Sequence, residues 1–151
     1  MVVTDFLLDT DVISMLSPSR NDASAMFLAW LERMDSEDRL FLSVVVIHEI
    51  EKGITLLEST GATTRAVRLR NWLIGLISDY EDKIIVFNGA AAAISGQLDA
   101  RAIAAGYNSG LADATVAGIA KAHDLVVVTC NTRHFIPFNV GVISPDEEAT
   151  S

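Results

Sequence analysis

Phe6-Leu7-Leu8-Asp9-Thr10-Asp11-Val12-Ile13 is the stretch on which the fold turns. Three apolar residues in a row read as a buried strand, and Val12 to Leu16 reads as a short helical turn broken at Ser17-Pro18-Ser19. Between them stand two acids. An acid directly after an apolar strand is costly unless it is paired or bound to a cation. The plain alternative for either one is a helix N-cap, a role that Asp fills well.

Outward from this point, strands and helices alternate. Ala23 to Met34 has helical spacing, with Asp22 as its expected cap. Leu40-Phe41-Leu42 is a short strand. Ser43 is expected to cap a helix running to about Glu58, with Ile47, Ile50, Ile54 and Leu57 on one face. Gly61-Ala62-Thr63-Thr64 is a turn before a helix reaching about Tyr80. Lys83 to Phe87 reads as a strand, and Asn88 as the cap of an alanine-rich helix. A loop at Gly106-Tyr107-Asn108-Ser109-Gly110 precedes a helix from Asp113 towards His123. Leu125 to Thr129 is a β-branched strand, and Val140 to Ile143 a short last one. Such alternation predicts an α/β fold with a mostly parallel sheet covered on both faces. Sites in such sheets lie at the carboxyl ends of the strands, so Asp9 and Asn131 are expected to meet there.

The chain has 151 residues and is half hydrophobic, enough for one well-buried domain. Residues 1–144 are expected to form it, with 145–151 an acidic, solvated tail. The lone cysteine, Cys130, excludes an internal disulfide and suits a reducing compartment such as the cytoplasm. The first residues lack the basic start and cleavage site of a secretory leader. No run of about 18 apolar residues exists, so no membrane span is expected. The net charge of −9 opposes nucleic-acid binding by the chain as a whole. Two ways round this remain: acids that hold a metal bridging to phosphate, or a basic partner.

Two further acids stand in apolar surroundings. Glu49 lies within Val44-Val45-Val46-Ile47-His48-Glu49-Ile50, whereas Glu51 and Lys52 look like the solvent face. Asp113 is followed by Ala114-Thr115-Val116-Ala117 at a helix start, where the macrodipole alone also favours an acid. Together Asp9, Glu49 and Asp113 describe a carboxylate pocket. Magnesium prefers oxygen ligands and combines one or two carboxylates with water and substrate phosphate. A pocket of this kind suits phosphodiester hydrolysis.

Four blocks carry a family resemblance. Leu7-Leu8-Asp9-Thr10-Asp11-Val12-Ile13-Ser14 resembles the Leu-Leu-Asp-Thr-Asn-Val-Ile-Ser opening of VapC-type PIN-domain toxins. Ser43 through Gly53-Ile54, Asp113 through Ala120 and Leu125 through Phe135 resemble the family's later blocks, in the right order and spacing. The resemblance implies a PIN-like three-layer α/β/α fold and a Mg²⁺- or Mn²⁺-dependent endoribonuclease toxin. It implies Asp9, Glu49 and Asp113 as catalytic, metal-holding acids, with Asp11, Thr129 and Asn131 as accessory residues. It also implies a VapB-type antitoxin that silences the enzyme, a homodimer, and a toxin–antitoxin hetero-oligomer. Three positions depart from the pattern: Asp11 stands where Asn is usual, Asn131 where many relatives have an acid, and His134 where Asp often precedes Phe135.

Arg65, Arg68 and Arg70 form the densest basic strip, and Arg133 and His134 the next. Each is expected either to meet RNA or the antitoxin, or to be a solvated face. Two other functions fit parts of the pattern. Asp9-Thr10-Asp11 also resembles the Asp-x-Asp loop of haloacid-dehalogenase-type phosphatases, where the first Asp is a nucleophile, although no late Gly-Asp acidic loop accompanies it. A PIN-like fold kept only as a binding module is the third reading, suggested by Asn131 and His134.

Overall fold

The computed structural model describes residues 3–20 and 22–146. The chain forms β1 (Asp5–Leu8), α1 (Thr10–Met15), α2 (Ala25–Ser36), β2 (Leu40–Ser43), α3 (Val44–Ser59), α4 (Thr63–Asp79), β3 (Ile84–Ile85), α5 (Gly89–Ala104), α6 (Leu111–Ala122), β4 (Leu125–Val128) and β5 (Val142–Ile143). The five strands pair wholly in parallel, in the order β3-β2-β1-β4-β5. The fold is the expected three-layer α/β/α sandwich.

Alternation along the buried strands feeds two cores. Phe6 and Leu8 of β1, Leu40 and Leu42 of β2 and Val128 of β4 pack with Phe27, Trp30, Leu31 and Met34 of α2 and with the inner faces of α3 and α4. Leu7, Leu125 and Val127 point the other way, into a core built by α5, α6, Phe135 and Phe138. On this second face the helices are made of small residues, and Ala114 through Ala120 are all buried. A Cβ on Gly118 would come within 2.6 Å of Ser95 Cβ and 2.9 Å of the Ala91 carbonyl oxygen. That close approach, with Ser95 Oγ donating to the Ala114 carbonyl at 2.9 Å, sets the position of α6 and of Asp113 at its start.

Two glycines end helices where a left-handed residue is needed. Gly61 (φ 89°) follows α3 and Gly106 (φ 92°) follows α5. At each, the next residue's N–H reaches back five residues, Ala62 to Leu57 and Tyr107 to Ala102, the Schellman closure.

Several expected boundaries shift. Ser24, not Asp22, caps α2, its Oγ accepting from Phe27 N–H at 3.1 Å. Ser43 occupies the cap position of α3 but makes no side-chain cap bond, and its Oγ is buried without a partner. The strand expected over Lys83 to Phe87 shrinks to Ile84–Ile85 after a 3₁₀ turn at Glu81–Lys83, leaving Val86 and Phe87 exposed. The last strand likewise keeps only Val142–Ile143. Both are edge strands with a single neighbour, so fewer ladder bonds extend them. Of the expected tail, Pro145 is buried and Asp146 exposed, and 147–151 lie outside the described residues.

Candidate active site

Strands β1 and β4 are neighbours whose carboxyl ends open on the same edge, at the point where the strand order reverses. Asp9 follows β1 and continues its ladder, its N–H bonded to the Val128 carbonyl at 3.0 Å. It is the N-cap of α1, so the plain reading of this residue is also true: its Oδ1 accepts from Thr10 N–H at 3.0 Å. The other oxygen, Oδ2, accepts from the Thr129 hydroxyl at 3.0 Å. Cap and site are one residue because the cap bond uses only one of its oxygens.

Asp11 is held differently. It accepts from Val12 N–H at 2.8 Å, Cys130 N–H at 2.9 Å and Asn131 Nδ2 at 3.1 Å, with the Thr129 hydroxyl 3.3 Å away. Asn131 N–H donates in turn to Thr129 Oγ1 at 3.1 Å. The three accessory residues thus form one knot tying the loop after β4 to the first turn of α1. A phosphatase loop of the Asp-x-Asp kind would need its second acid as a proton donor, whereas Asp11 is spent on backbone and amide donors.

Glu49, on the second turn of α3, reaches the same edge. Thr10 Oγ1 donates to its Oε1 at 2.7 Å. Asp113, in the first turn of α6, is 31 % exposed and has the His134 Nδ1 3.6 Å from its Oδ2. His134, expected as a loop residue, is therefore both exposed and beside a site acid.

The fields of these acids overlap. Burial, then the neighbouring Asp11 charge, pushes the Asp9 carboxyl up to about 6; Asp113 adds to the rise, while the Thr10 and Thr129 bonds oppose it. Burial also raises Asp113, which His134 lowers and Glu49 and Asp11 raise further. Desolvation outweighs mutual repulsion at both. Burial and Asp11 likewise lift the exposed Cys130 thiol to about 11, so it is not an activated nucleophile.

The donors at this edge are oxygens: Asp9, Glu49, Asp113 and the Thr129 hydroxyl. Such hard donors fit magnesium or manganese and not a soft ion. Among the described residues no three His, Cys, Asp or Glu side chains form a ready-made cage. Magnesium itself needs only one or two carboxylates, since it keeps several waters.

Of the basic residues, Arg70 is tied to α3, 2.9 Å from Glu51 and 2.8 Å from Glu58, and both acids raise its pKa. Arg65, Arg68 and Arg133 are exposed and have no acidic partner among the described residues. Thr10, Arg20 and Tyr107 also border the site, and none was singled out from the sequence. Thr10 could have been found, because it lies between two acids at a strand end.

This arrangement is that of a PIN domain, and the chain belongs to the PIN-domain family, which matches residues 6–137. Among its relatives, Toxin FitB of Neisseria gonorrhoeae is 32 % identical over 92 % of this chain and 96 % of its own length. VapC ribonuclease Y4jK of Sinorhizobium fredii is 30 % identical over 95 % of this chain and 99 % of its own length. The crystal structure of FitAcB from Neisseria gonorrhoeae superposes with a TM-score of 0.80 at 31 % identity, covering 93 % of this chain and 97 % of that one. Among the described residues no helix is long and apolar enough to cross a membrane.

Proposed function

We propose that this protein is a Mg²⁺- or Mn²⁺-dependent endoribonuclease, the toxin of a toxin–antitoxin pair, acting in the cytoplasm as a PIN domain spanning 1–144. The observation that supports this reading is that Asp9, Glu49 and Asp113, on three separate elements, stand near enough for the Asp113 charge to raise the Asp9 carboxyl and the Glu49 charge to raise Asp113. The kinship with a protein named a toxin and another named a ribonuclease supports it.

Asp9, Glu49 and Asp113 would hold the cation. When bound, it would polarise a phosphoryl oxygen of RNA and lower the pKa of a water. The chain's own residues do the rest. Thr10 holds Glu49 in place. Thr129 orients the second oxygen of Asp9, the one that the cap bond leaves. Asp11 and Asn131 fix the loop that carries Thr129. His134 shares the field of Asp113, where an imidazole can exchange protons or meet phosphate.

A small VapB-type antitoxin would silence the enzyme by covering this edge with a segment offering an Arg, whose planar fork matches carboxylates. An apolar cavity of about 670 Å³ supports this. It brings Val45, Leu56, Phe87 and Leu111 beside Glu49, and Leu56 and Leu111 are 58 % and 76 % exposed. The resemblance further implies a homodimer and a toxin–antitoxin hetero-oligomer.

The test is cleavage of single-stranded RNA by the purified chain with Mg²⁺ or Mn²⁺, set against a chelated control. Metal-dependent cutting that Asp9→Asn abolishes supports the reading. A folded protein that takes up Mn²⁺ but cuts no RNA and turns over a phosphomonoester would favour a phosphatase. One that binds no cation would favour a binding module.

A further inference from the structure

Two cavities adjoin the carboxylate edge and share no lining residue. The first, about 270 Å³, runs from Thr10 and Glu49 of the site to Ser14, Arg20, Arg65 and Trp72. The second, about 330 Å³, runs from Asp113 and His134 to Tyr107, Asn108 and Arg133. Glu49 shares a third cavity with Leu111 and Ala112 at the start of α6, next to Asp113, so the acids stand between the two.

Each cavity ends on one unbalanced cation. Arg20 is paired with Asp22, so it brings little net charge to the first. Arg65 has no acidic partner among the described residues, and neither has Arg133 in the second. In a chain of net charge −9, a phosphate backbone needs such local cations to approach at all. Tyr107, 47 % exposed beside Arg133, offers a ring on which any base can stack. Both cavities are small and flank an acidic edge, which suits a single strand better than a duplex.

We propose that these cavities are the two nucleotide subsites of one track, in which Arg65 and Arg133 hold the phosphates on either side of the one presented to Asp9, Glu49 and Asp113, and Tyr107 stacks the base on the Arg133 side. The proposal rests on the ribonuclease reading and adds to it the residues that would hold the strand on either side of the cut. It can nonetheless be tested without cleavage, through binding of a cleavage-resistant 2′-O-methyl single-stranded oligonucleotide to the full chain.

Arg65→Ala and Arg133→Ala should each weaken binding roughly tenfold at low salt and each reduce the salt slope by about 0.7, the value of one single-strand phosphate contact. Tyr107→Ala should weaken it by a similar factor, and Tyr107→Phe should restore it because the ring is kept. Arg101→Ala is the charge-matched control: its side chain is exposed on α5, lines neither cavity, and should leave binding as in the wild type. For RNA cleavage the three losses should fall on KM, with kcat within about threefold. If Arg101→Ala weakens binding as much as the other two, the effect is general charge and the track is wrong. If only one of Arg65 and Arg133 matters, the two-sided track is also wrong. It fails again if both substitutions leave oligonucleotide binding intact. Binding with the expected pattern but no metal-dependent cleavage by the wild type would keep the track and overturn the nuclease.

Discussion

Asp11 and Asp113 are acids at the same sheet edge, and the protein treats them in opposite ways. Asp11, in the first turn of α1, takes hydrogen bonds from two backbone N–H groups and the Asn131 amide. Asp113, at the start of α6, has among the described residues only a histidine, 3.6 Å away, as ionic partner and is nearly a third exposed. A carboxylate whose lone pairs are filled by the chain has become part of the scaffold. One whose lone pairs are open is left for a ligand. Asp9 lies between these extremes, with one oxygen spent on the cap and the other on Thr129.

The strongest break of this contrast is Asp113→Asn. It keeps the volume and removes a charge from the open end. RNA cleavage should fall by at least about a hundredfold, as losses at a catalytic cation's ligands do. The metal-free fold should be as stable as before or slightly more so, because a disfavoured buried charge is relieved. In bacteria, the wild-type chain should arrest growth and Asp113→Asn should not. Equal arrest by both folded proteins would show that Asp113 is no ligand.

Asp11→Ala should invert that pattern. It strips the loop of an acceptor for three donors, and hydrogen bonds to a charged group contribute about 1.5–3 kcal/mol each before water replaces them. With part of the site open to water, a net loss of about 1–3 kcal/mol is expected in denaturant unfolding. Asp11→Asn should recover part of it, since Asn is the commoner residue of the resembling family at this position. A variant as stable as the wild type yet unable to take up Mn²⁺ would make Asp11 a ligand and erase the distinction.

The intermediate case is tested by pH. The Asp9 carboxyl holds its proton more tightly when folded, at about 6, than its ordinary value of 3.8. The folded state then binds more protons than the unfolded one between these values, so this group costs stability increasingly as pH rises from about 4 to about 6, and fully above. Without metal, the melting temperature of the wild type relative to Asp9→Asn should fall across that window. Millimolar Mn²⁺ should abolish the fall, because a ligand that binds the ionised, folded form stabilises it by mass action. A difference between the two proteins that is flat with pH would mean that the Asp9 charge is already well accommodated.

How much of this could be read from the residues follows the same division. The buried strands β1, β2 and β4 were legible because a continuous apolar run of that length fits few other structures. The three acids were legible because an acid in apolar surroundings needs a reason. The edge strands β3 and β5 were over-read, since β-branched residues mark a propensity that only a second neighbouring strand realises. Ser24 takes the cap expected of Asp22 because both residue types cap well and only the first-turn geometry separates them. Arg70 looked equal to Arg65 on the sequence, and only the α3–α4 packing pairs it with Glu51 and Glu58. Tyr107 and Arg20 belong to loops, where no periodicity says which way a side chain points.

The smallest expected effect lies at the least conspicuous contact. Thr10 stands between the two aspartates, gives its N–H to Asp9 and its hydroxyl to Glu49. Its backbone bond survives any substitution; its hydroxyl bond does not. Thr10→Val keeps the β-branched shape and deletes the donor, leaving Glu49 to water on its exposed side. Because Glu49 is only partly buried, water can replace the lost donor, and unfolding stability should change by no more than about 1 kcal/mol. What changes is how narrowly Glu49 is aimed. A loosened ligand weakens the site it serves, as supporting residues around metals generally do. The Mn²⁺ midpoint should therefore rise several-fold, with kcat at saturating metal falling less than the midpoint shifts. Thr10→Ser, which returns the hydroxyl, should bring the midpoint back towards the wild type. If Val and Ser behave alike, and both match the wild type in metal uptake, then Thr10 serves the helix start alone and Glu49 reaches the cation, or fails to, without its help.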